Sequence, residues 1–146
     1  MERTLAIIKP DAVADGHAGK IIDRILQEGF AIRAMKLVQL TRAEAEGFYA
    51  VHRERPFFGE LTAFMSSAPC IPLVLEREDA VAHWRTVIGA TNPANAEEGT
   101  IRKQFARSMG ENAVHGSDSP ENGVKESRYF FPESEIVSNG ADVIDA

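Results

Sequence analysis

The chain has 146 residues, which is the size of a single domain, and its apolar share of 44% and charged share of 26% predict an ordinary globular protein with a real core. The net charge of -6 argues against generic binding to nucleic acid or to an anionic membrane. Cys70 is the only cysteine, which excludes an intrachain disulfide, and no apolar stretch is long enough for a signal peptide or a membrane span. We therefore expect a cytosolic protein.

The first half of the chain predicts two strands, a helix between them and a helical hairpin. A short apolar run from Thr4 to Lys9 ends at a proline and predicts a central strand. Residues 19–29 place isoleucines at helical spacing before a glycine, and residues 30–40 alternate apolar and polar side chains as a long strand does. The pair Thr41 and Glu44 has capping-box spacing and begins a helix to about residue 52, and a second helix restarts after Pro56.

The second half predicts a buried strand over residues 70–76 and a helix over 79–89, followed by a long polar loop. Within that part a short helix near Thr100 and a short strand at 113–115 are expected. Ser119 and Pro120 then begin a helix that runs to about Phe130. The tail after Pro132 has no periodicity and is expected to fray.

This order of elements predicts an α+β domain, a βαββαβ split sheet covered by helices on one side. The composition has no linker and no internal repeat, so residues 1–146 are predicted to form one domain. Residues 133–146 are expected to be its tail, either loosely ordered or in contact with another copy of the chain.

The common phosphate-binding and metal-binding motifs are missing. No GxxxxGK[ST] sequence occurs and no two glycines have GxG spacing, which excludes a P-loop or Rossmann enzyme. The four histidines are isolated from one another and from Cys70, which argues against a structural zinc site.

His115 is the histidine with an unusual setting, because it leaves a predicted strand and enters the turn Gly-Ser-Asp-Ser-Pro. A nucleophilic imidazole needs one free ring nitrogen while the other donates its proton to an acceptor. Ser117, Asp118 and Glu126 are candidates for that support. Local context leaves open the alternative of a loop histidine with an ordinary turn hydrogen bond. His52 and His83, on amphipathic helices, are interpreted as partly exposed helix residues.

Phosphoryl transfer also needs fixed positive charge around the phosphate oxygens. Three basic residues stand at element ends or next to the polar loop, namely Lys9, Arg85 and Arg102. Each of them alone would more often be an ordinary surface charge. Thr91 and Asn112 could add neutral hydrogen bonds.

Several motifs in order resemble one enzyme family. IIKPDAV, FYAVHRERPFF, GATNPA, GTIR and NAVHGSDSPEN look like nucleoside diphosphate kinase, and the resemblance covers about residues 3–132. It implies a ferredoxin-like domain with a four-stranded antiparallel sheet, in which the helical hairpin forms the nucleotide cleft. It also implies a ping-pong exchange of the γ-phosphoryl group between ATP, GTP and other nucleotides through the δ nitrogen of His115.

The resemblance assigns further roles residue by residue. Tyr49 would lie beside the transferred group, and Ser117 and Glu126 would orient the imidazole. Stacking on Phe57, with Leu61 close by, would explain low base selectivity because every base offers a π face. Contacts to the phosphates and ribose would come from Lys9, Arg85, Thr91, Arg102 and Asn112.

The resemblance also implies a cofactor and an assembly. Asp118 would be an outer-sphere partner of Mg²⁺ held mainly by the nucleotide phosphates. The family forms homo-oligomers, dimer-based tetramers or hexamers, to which the tail often contributes. Ala68 and Glu111 depart from the family pattern and are expected to affect loop packing without touching the chemistry.

Two alternatives remain at this point. The first is a noncatalytic nucleotide-binding or scaffolding domain of the same fold, although the complete set Lys9, Tyr49, Arg102, Asn112 and His115 favours a working site. The second is a histidine phosphotransfer protein, usually a helical bundle, against which the apolar strands argue.

Overall fold

The computed structural model describes residues 1–138 and contains a four-stranded antiparallel sheet. The strands are β1 (Glu2–Ile8), β2 (Ala31–Met35), β3 (Ile71–Arg77) and β4 (Val114–Gly116), in the order β2-β3-β1-β4. The central pair β1 and β3 is aligned from Glu2 opposite Arg77 to Ile8 opposite Ile71. β4 pairs with the end of β1, so His115 lies opposite Ile7. This confirms the predicted α+β, ferredoxin-like class.

Within residues 1–138, seven helices connect and cover these strands. They are α1 (Pro10–Ala14), α2 (Ala18–Gln27), α3 (Arg42–Phe48), α4 (Phe58–Met65), α5 (Ala80–Ile88), α6 (Ile101–Phe105) and α7 (Pro120–Phe130), with 3-10 turns at Ala50–His52, Pro93–Asn95 and Glu133–Glu135. Between residues 1 and 138, none of the helices is both long and apolar enough to cross a membrane. The sheet with its helices also differs from the helical bundle of a histidine phosphotransfer protein.

Helices cover both faces of the sheet, so the prediction of a single covered side is wrong. On one face Ile8 and Leu75 pack with Ile25 of α2 and Trp84 of α5. On the other face lie Leu5, Ile7 and Val74, together with Ala45, Met65 and Phe130 from α3, α4 and α7. The physical reason is in the strands themselves, because β1 and β3 are continuously apolar rather than alternating, which is typical of strands buried on both faces.

Several element boundaries differ from the predicted ones. Pro10 ends β1 but also begins α1, which was not predicted, because proline suits the first position of a helix. β2 stops at Met35 after a bulge between Ile32 and Ala34, and Val38 returns to the sheet only as an isolated bridge with Cys70. The predicted long strand to residue 40 is therefore wrong.

The predicted capping signals are confirmed. Thr41 and Glu44 form a reciprocal capping box at α3, and the side chain of Ser119 accepts a hydrogen bond from the backbone N–H of Asn122. α3 is shorter than predicted and continues only as the 3-10 turn Ala50–His52. This break lets the chain turn toward α4 and opens the hairpin.

The chain after Pro132 packs on the domain as far as the structure describes it. Ile136 is buried in the same cluster as Phe130, and the backbone N–H of Val137 donates to the carbonyl of Arg33 over 2.8 Å. The expectation of fraying is wrong for this part, because a segment without a periodic apolar pattern can still bury a single apolar side chain. Residues 139–146 of the predicted tail lie outside the described residues.

Candidate active site

A cleft of about 760 Å³ lies between the hairpin of α3 and α4, the end of β1, and the polar loop that leads into β4. The predicted site residues that line it are Lys9, Tyr49, Phe57, Leu61, Thr91, Asn112 and His115. Residues from both halves of the sequence thus meet in one cleft. They do so because β4 pairs with β1, which places the polar loop beside the end of the first strand.

The His115 imidazole is held from behind by Glu126 of α7. Its Nε2 lies 2.8 Å from Glu126 Oε1, and the Ser117 hydroxyl donates to the same oxygen over 2.8 Å. The backbone N–H of Leu5 donates to the Ser117 hydroxyl over 3.0 Å, which ties the group to β1. Since a carboxylate only accepts hydrogen bonds, Nε2 carries the proton and the lone pair is on Nδ1. This is the arrangement that a nucleophilic histidine needs.

The environment keeps this imidazole neutral. Burial lowers the pKa of His115, and the charges of Lys9 and Arg102 lower it further, whereas the hydrogen bond to Glu126 acts in the opposite direction. The side chain is 17% exposed, so it remains accessible from the cleft. A neutral ring at pH 7 has the free electron pair that attack on phosphorus requires.

Aromatic side chains restrict the position of the ring. Phe48 meets it edge to face with centroids 5.4 Å apart, and Tyr49 lies 6.5 Å away in a similar orientation. The indole N–H of Trp84 donates to the carbonyl of His115 over 3.0 Å. Contacts within the protein therefore restrain both the backbone and the ring of His115.

Lys9 brings a buried positive charge to the cleft. Its Nζ donates to Asn112 Oδ1 over 2.8 Å, and the Asn112 amide donates in turn to the carbonyl of Thr91 over 3.2 Å. Burial and the charge of Arg102 lower the pKa of Lys9 to about 8, although the charge of Asp11 acts in the opposite direction. An ammonium kept in such a place is typical of a site that binds an anion.

The two arginines are placed differently from each other. Arg102 is buried and donates to the carbonyls of Asn112, Gly89 and Val114 over 3.3, 2.9 and 2.8 Å. Burial and the charge of Arg85 lower its pKa to about 10. Arg85 is exposed on α5, and neither arginine is among the residues that line the cleft.

The outer end of the cleft is aromatic. Phe57 is 47% exposed, and its ring centroid lies 5.5 Å from that of His52, which in turn is 6.4 Å from Tyr49. Phe57 and Leu61 both belong to the start of the second hairpin helix. An exposed aromatic ring beside an apolar side chain can hold a flat ligand group by stacking.

Asp118 is another predicted site residue that does not line the cleft. It is exposed, and its carboxylate accepts a hydrogen bond from the amide of Asn122. Within residues 1–138, no three His, Cys, Asp or Glu side chains form a group that could hold a metal ion. A divalent cation here would need other ligands.

Sequence reasoning missed part of the cleft wall. His52 lines the cleft, although it was interpreted only as a partly exposed helix residue; its spacing of three from Tyr49 is the signal that could have revealed it. Glu111, which was expected only to affect loop packing, also lines the cleft while pairing with Arg107 over 2.7 Å. The remaining lining residues, Glu60, Phe64, Ser108, Met109 and Gly110, follow no motif.

Comparisons with known proteins place the chain in one group. The family model described as nucleoside diphosphate kinase matches residues 2–136. The nucleoside diphosphate kinase of Salinibacter ruber is 60% identical over 94% of this chain and 97% of its own length, and that of Trichlorobacter lovleyi is 60% identical over 94% and 99%.

Solved structures agree with these sequence relatives. The nucleoside diphosphate kinase of Aquifex aeolicus superposes with a TM-score of 0.92 at 50% identity, over 93% of this chain and 99% of that one. The enzyme of Halobacterium salinarum, solved in complex with CDP, gives 0.90 at 34% identity, over 94% and 91%. At these identities the likeness extends beyond the fold.

Proposed function

The chain belongs to the nucleoside diphosphate kinase family, and on this premise we propose that the cleft is its active site, with His115 as the residue that carries the phosphoryl group. The protein is thus a phosphotransferase that moves the γ-phosphoryl of a nucleoside triphosphate to a nucleoside diphosphate. The observation that supports the role of His115 is the hydrogen bond from its Nε2 to Glu126, which leaves the Nδ1 lone pair free.

In the first half-reaction, the Nδ1 lone pair attacks the γ phosphorus in line with the bond to the bridging oxygen. The new N–P bond forms as that P–O bond breaks, and the nucleoside diphosphate leaves with the bonding electrons. In the second half-reaction a terminal phosphate oxygen of another nucleoside diphosphate attacks the phosphorus of the phosphohistidine, and the N–P bond breaks as the new P–O bond forms, which returns the electron pair to Nδ1. The Nε2 proton stays on the ring, where Glu126 and Ser117 stabilise the positive charge that phosphorylation creates.

The phosphate oxygens would be held by the polar side of the cleft. Lys9 and Asn112 line it within reach of each other, and Thr91 lies at the same edge. The charge of Arg102 is near enough to lower the pKa of both Lys9 and His115, which supports a role in stabilising the transferred group. Arg85, exposed at the end of α5, would reach only the outer phosphates or the ribose. Tyr49 would border the transferred phosphoryl, since its buried hydroxyl has no partner among the described residues.

The base would stack on Phe57, with Leu61 against its other side. Because the CDP complex of the Halobacterium salinarum relative is a pyrimidine complex, a small base is compatible with this fold. Stacking uses the π face that all bases share, so we propose low base selectivity.

Mg²⁺ would enter with the nucleotide rather than occupy a protein cage. The lack of any metal-binding cluster within residues 1–138 fits an ion held by phosphates and water, with Asp118 as an outer-sphere partner at most. When bound, the ion would neutralise phosphate charge. The residues of the chain itself supply the nucleophile and its support.

Assembly and location are further parts of the proposal. β2 lies at an edge of the sheet, and Met35 at its end and Leu37 just after it are 51% and 65% exposed, which supports a contact between copies of the chain. From the resemblance to the family, we propose that the copies form a homo-oligomer, a dimer-based tetramer or hexamer. The buried thiol of the single Cys70 is compatible with a cytoplasmic location.

A labelling and chase experiment tests the proposed function. The protein is incubated with γ-labelled ATP and Mg²⁺, freed of nucleotide, and mixed with ADP, CDP, GDP and UDP. We expect labelled protein that transfers its label to all four diphosphates. Loss of the label to water, or transfer to one diphosphate only, would contradict the proposed exchange or its low base selectivity.

A further inference from the structure

The backbone just before His115 makes a turn that is unfavourable for the residue at its centre. Ala113 has φ of +72° although it is not glycine, and the N–H of Val114 donates to the carbonyl of Asn112 over 2.8 Å across it. A three-residue turn with positive φ at its middle residue is the rare, strained γ-turn. Such a turn persists only where its surroundings hold it.

Asp11 provides one of the interactions that stabilise this turn. Its Oδ2 accepts a hydrogen bond from the N–H of Ala113 over 3.0 Å, and the N–H of Lys9 donates to the carbonyl of Ala113 over 2.8 Å. Asp11 is 2% exposed and Ala113 is fully buried, so water cannot replace these bonds. Both polar backbone groups of the strained residue are thus satisfied from the junction of β1 and α1.

The buried carboxylate is not explained by stability alone. Its Oδ1 has no hydrogen-bond partner among the described residues. Burial raises the pKa of Asp11 despite the opposing effect of nearby backbone N–H groups and of the Lys9 charge. Burying a polar group with one atom unpaired is unfavourable. A residue of this kind is typical of a position where function, rather than packing, determines the side chain.

The turn determines where two site residues stand. Asn112, immediately before it, receives the Lys9 ammonium on Oδ1, and His115 follows it by two residues in β4. A relaxed turn would change the direction in which the chain leaves Asn112 and enters β4. The separation of the ammonium, the amide and the imidazole would then change together.

We propose that Asp11 is a positioning residue for phosphoryl transfer, whose carboxylate holds the strained turn at Ala113 and thereby aligns Asn112 and Lys9 with His115. This inference rests on the proposed role of His115 as the phosphorylated residue. The proposed role does not require Asp11 to contact the nucleotide.

The test compares single-turnover phosphorylation of the full-length protein by saturating γ-labelled ATP. Asp11→Ala should slow the labelling step about tenfold or more, whereas Asp11→Asn, which keeps an oxygen acceptor for the Ala113 N–H, should stay within about threefold of wild type. Asp11→Ala combined with Ala113→Gly should recover much of the lost rate, because glycine adopts positive φ without strain. Asp23→Ala, which removes an exposed carboxylate on α2, is the charge-matched control and should not change the rate.

The outcomes separate this inference from the proposed function. If wild type is not labelled on His115, the proposed function itself fails. If wild type is labelled and folded Asp11→Ala is equally fast, or if Asp11→Asn is slowed as much as Asp11→Ala, the positioning role is wrong. If Asp11→Ala does not fold, the labelling rates of Asp11→Asn and of Asp11→Asn combined with Ala113→Gly test the proposal. A near-normal rate of Asp11→Asn supports the positioning role. A slow Asp11→Asn whose rate Ala113→Gly does not improve overturns it.

Discussion

At the scale of single residues, burial lowers the pKa of the two titratable side chains at the centre of the site. Burial lowers the pKa of His115 below its ordinary value, and the ring proton lies on the nitrogen facing Glu126. Lys9 is an ammonium in a buried place, with its pKa lowered to about 8. The motifs around these residues predicted them, whereas the local setting of His115 alone left an ordinary turn histidine open. The hydrogen bond from Nε2 to Glu126, eleven residues along the chain, favours the nucleophilic arrangement, and the fold brings these two side chains together.

The acid limb of the activity should reflect His115. Because its pKa lies below the ordinary value of 6.5, more than half of the imidazole is unprotonated at pH 6.5, and the lone pair is lost as the pH falls further. We expect kcat/KM for phosphorylation to fall with one proton and with its midpoint below pH 6.5. A midpoint above pH 6.5 would contradict a buried, neutral nucleophile.

Lys9→Met should separate activity from stability. Between pH 8 and 10.5 the unfolded lysine binds a proton that the folded one does not, so the charged form costs folding free energy below pH 8. The lowering of the Lys9 pKa corresponds to a cost of roughly 3 kcal/mol for the charged side chain in the folded protein. Replacing Lys9 removes this cost but also removes the hydrogen bond to Asn112, which offsets about 1 kcal/mol of the gain. We expect the variant to lose most exchange activity while its free energy of unfolding in urea at pH 7 rises by about 1–2 kcal/mol.

A destabilisation of Lys9→Met by more than about 1 kcal/mol would contradict this account of the buried ammonium. The pH dependence gives a control within the same pair of proteins. From pH 8 to 10.5 the stability of wild type should approach that of the variant, as the lysine loses its charge in the folded state.

At the scale of elements, local signals predicted the existence and type of the main helices and strands, and tertiary contacts determined their ends. Capping residues such as Thr41 and Ser119 predicted where α3 and α7 begin. The short helix α1 was not predicted, because a proline after a strand can indicate the end of that strand or the first residue of a helix, and only the first of these was considered. The early stop of β2 depends on its bulge against β3, which no pattern within residues 30–40 contains.

α7, which contains Glu126 and Ser127, packs against β1. The two elements are so close at position 123 that only glycine fits there without a shift. A Cβ at Gly123 would lie 2.3 Å from the backbone oxygen of Arg3, which cannot move aside as a side chain can. We expect Gly123→Ala to lower the free energy of unfolding by about 1–3 kcal/mol, because the helix must shift. Gly19→Ala in α2, where nothing lies within 4 Å, is the matched control.

The control variant should be as stable as wild type or gain up to about 1 kcal/mol, since alanine is the better helix former. Chemical denaturation of both variants measures the difference. Equal stability of Gly123→Ala and Gly19→Ala would mean that α7 is not packed closely on β1.

At the scale of the whole molecule, the site is a product of topology. Lys9, Tyr49, Asn112 and His115 are far apart in sequence, and they meet because β4 returns beside β1 while the hairpin closes over the same end of the sheet. The motifs predicted all four of these residues. They could not place Arg85 or Asp118, which lie away from the cleft wall, or reveal Glu111 within it, since a motif identifies residue types and the packing of loops determines which side chains face the cleft. The second covered face of the sheet could have been inferred from the continuous apolar runs of β1 and β3.

The most direct test of the central claim is the site of covalent labelling by γ-labelled ATP. Wild type should acquire an acid-labile, base-stable label on His115, and His115→Ala should lose both the label and the exchange of phosphoryl groups between nucleotides. His83→Ala, which removes a histidine that pairs with Glu28 away from the cleft, should be labelled as wild type is. Retained label and full exchange in His115→Ala would contradict the phosphohistidine mechanism.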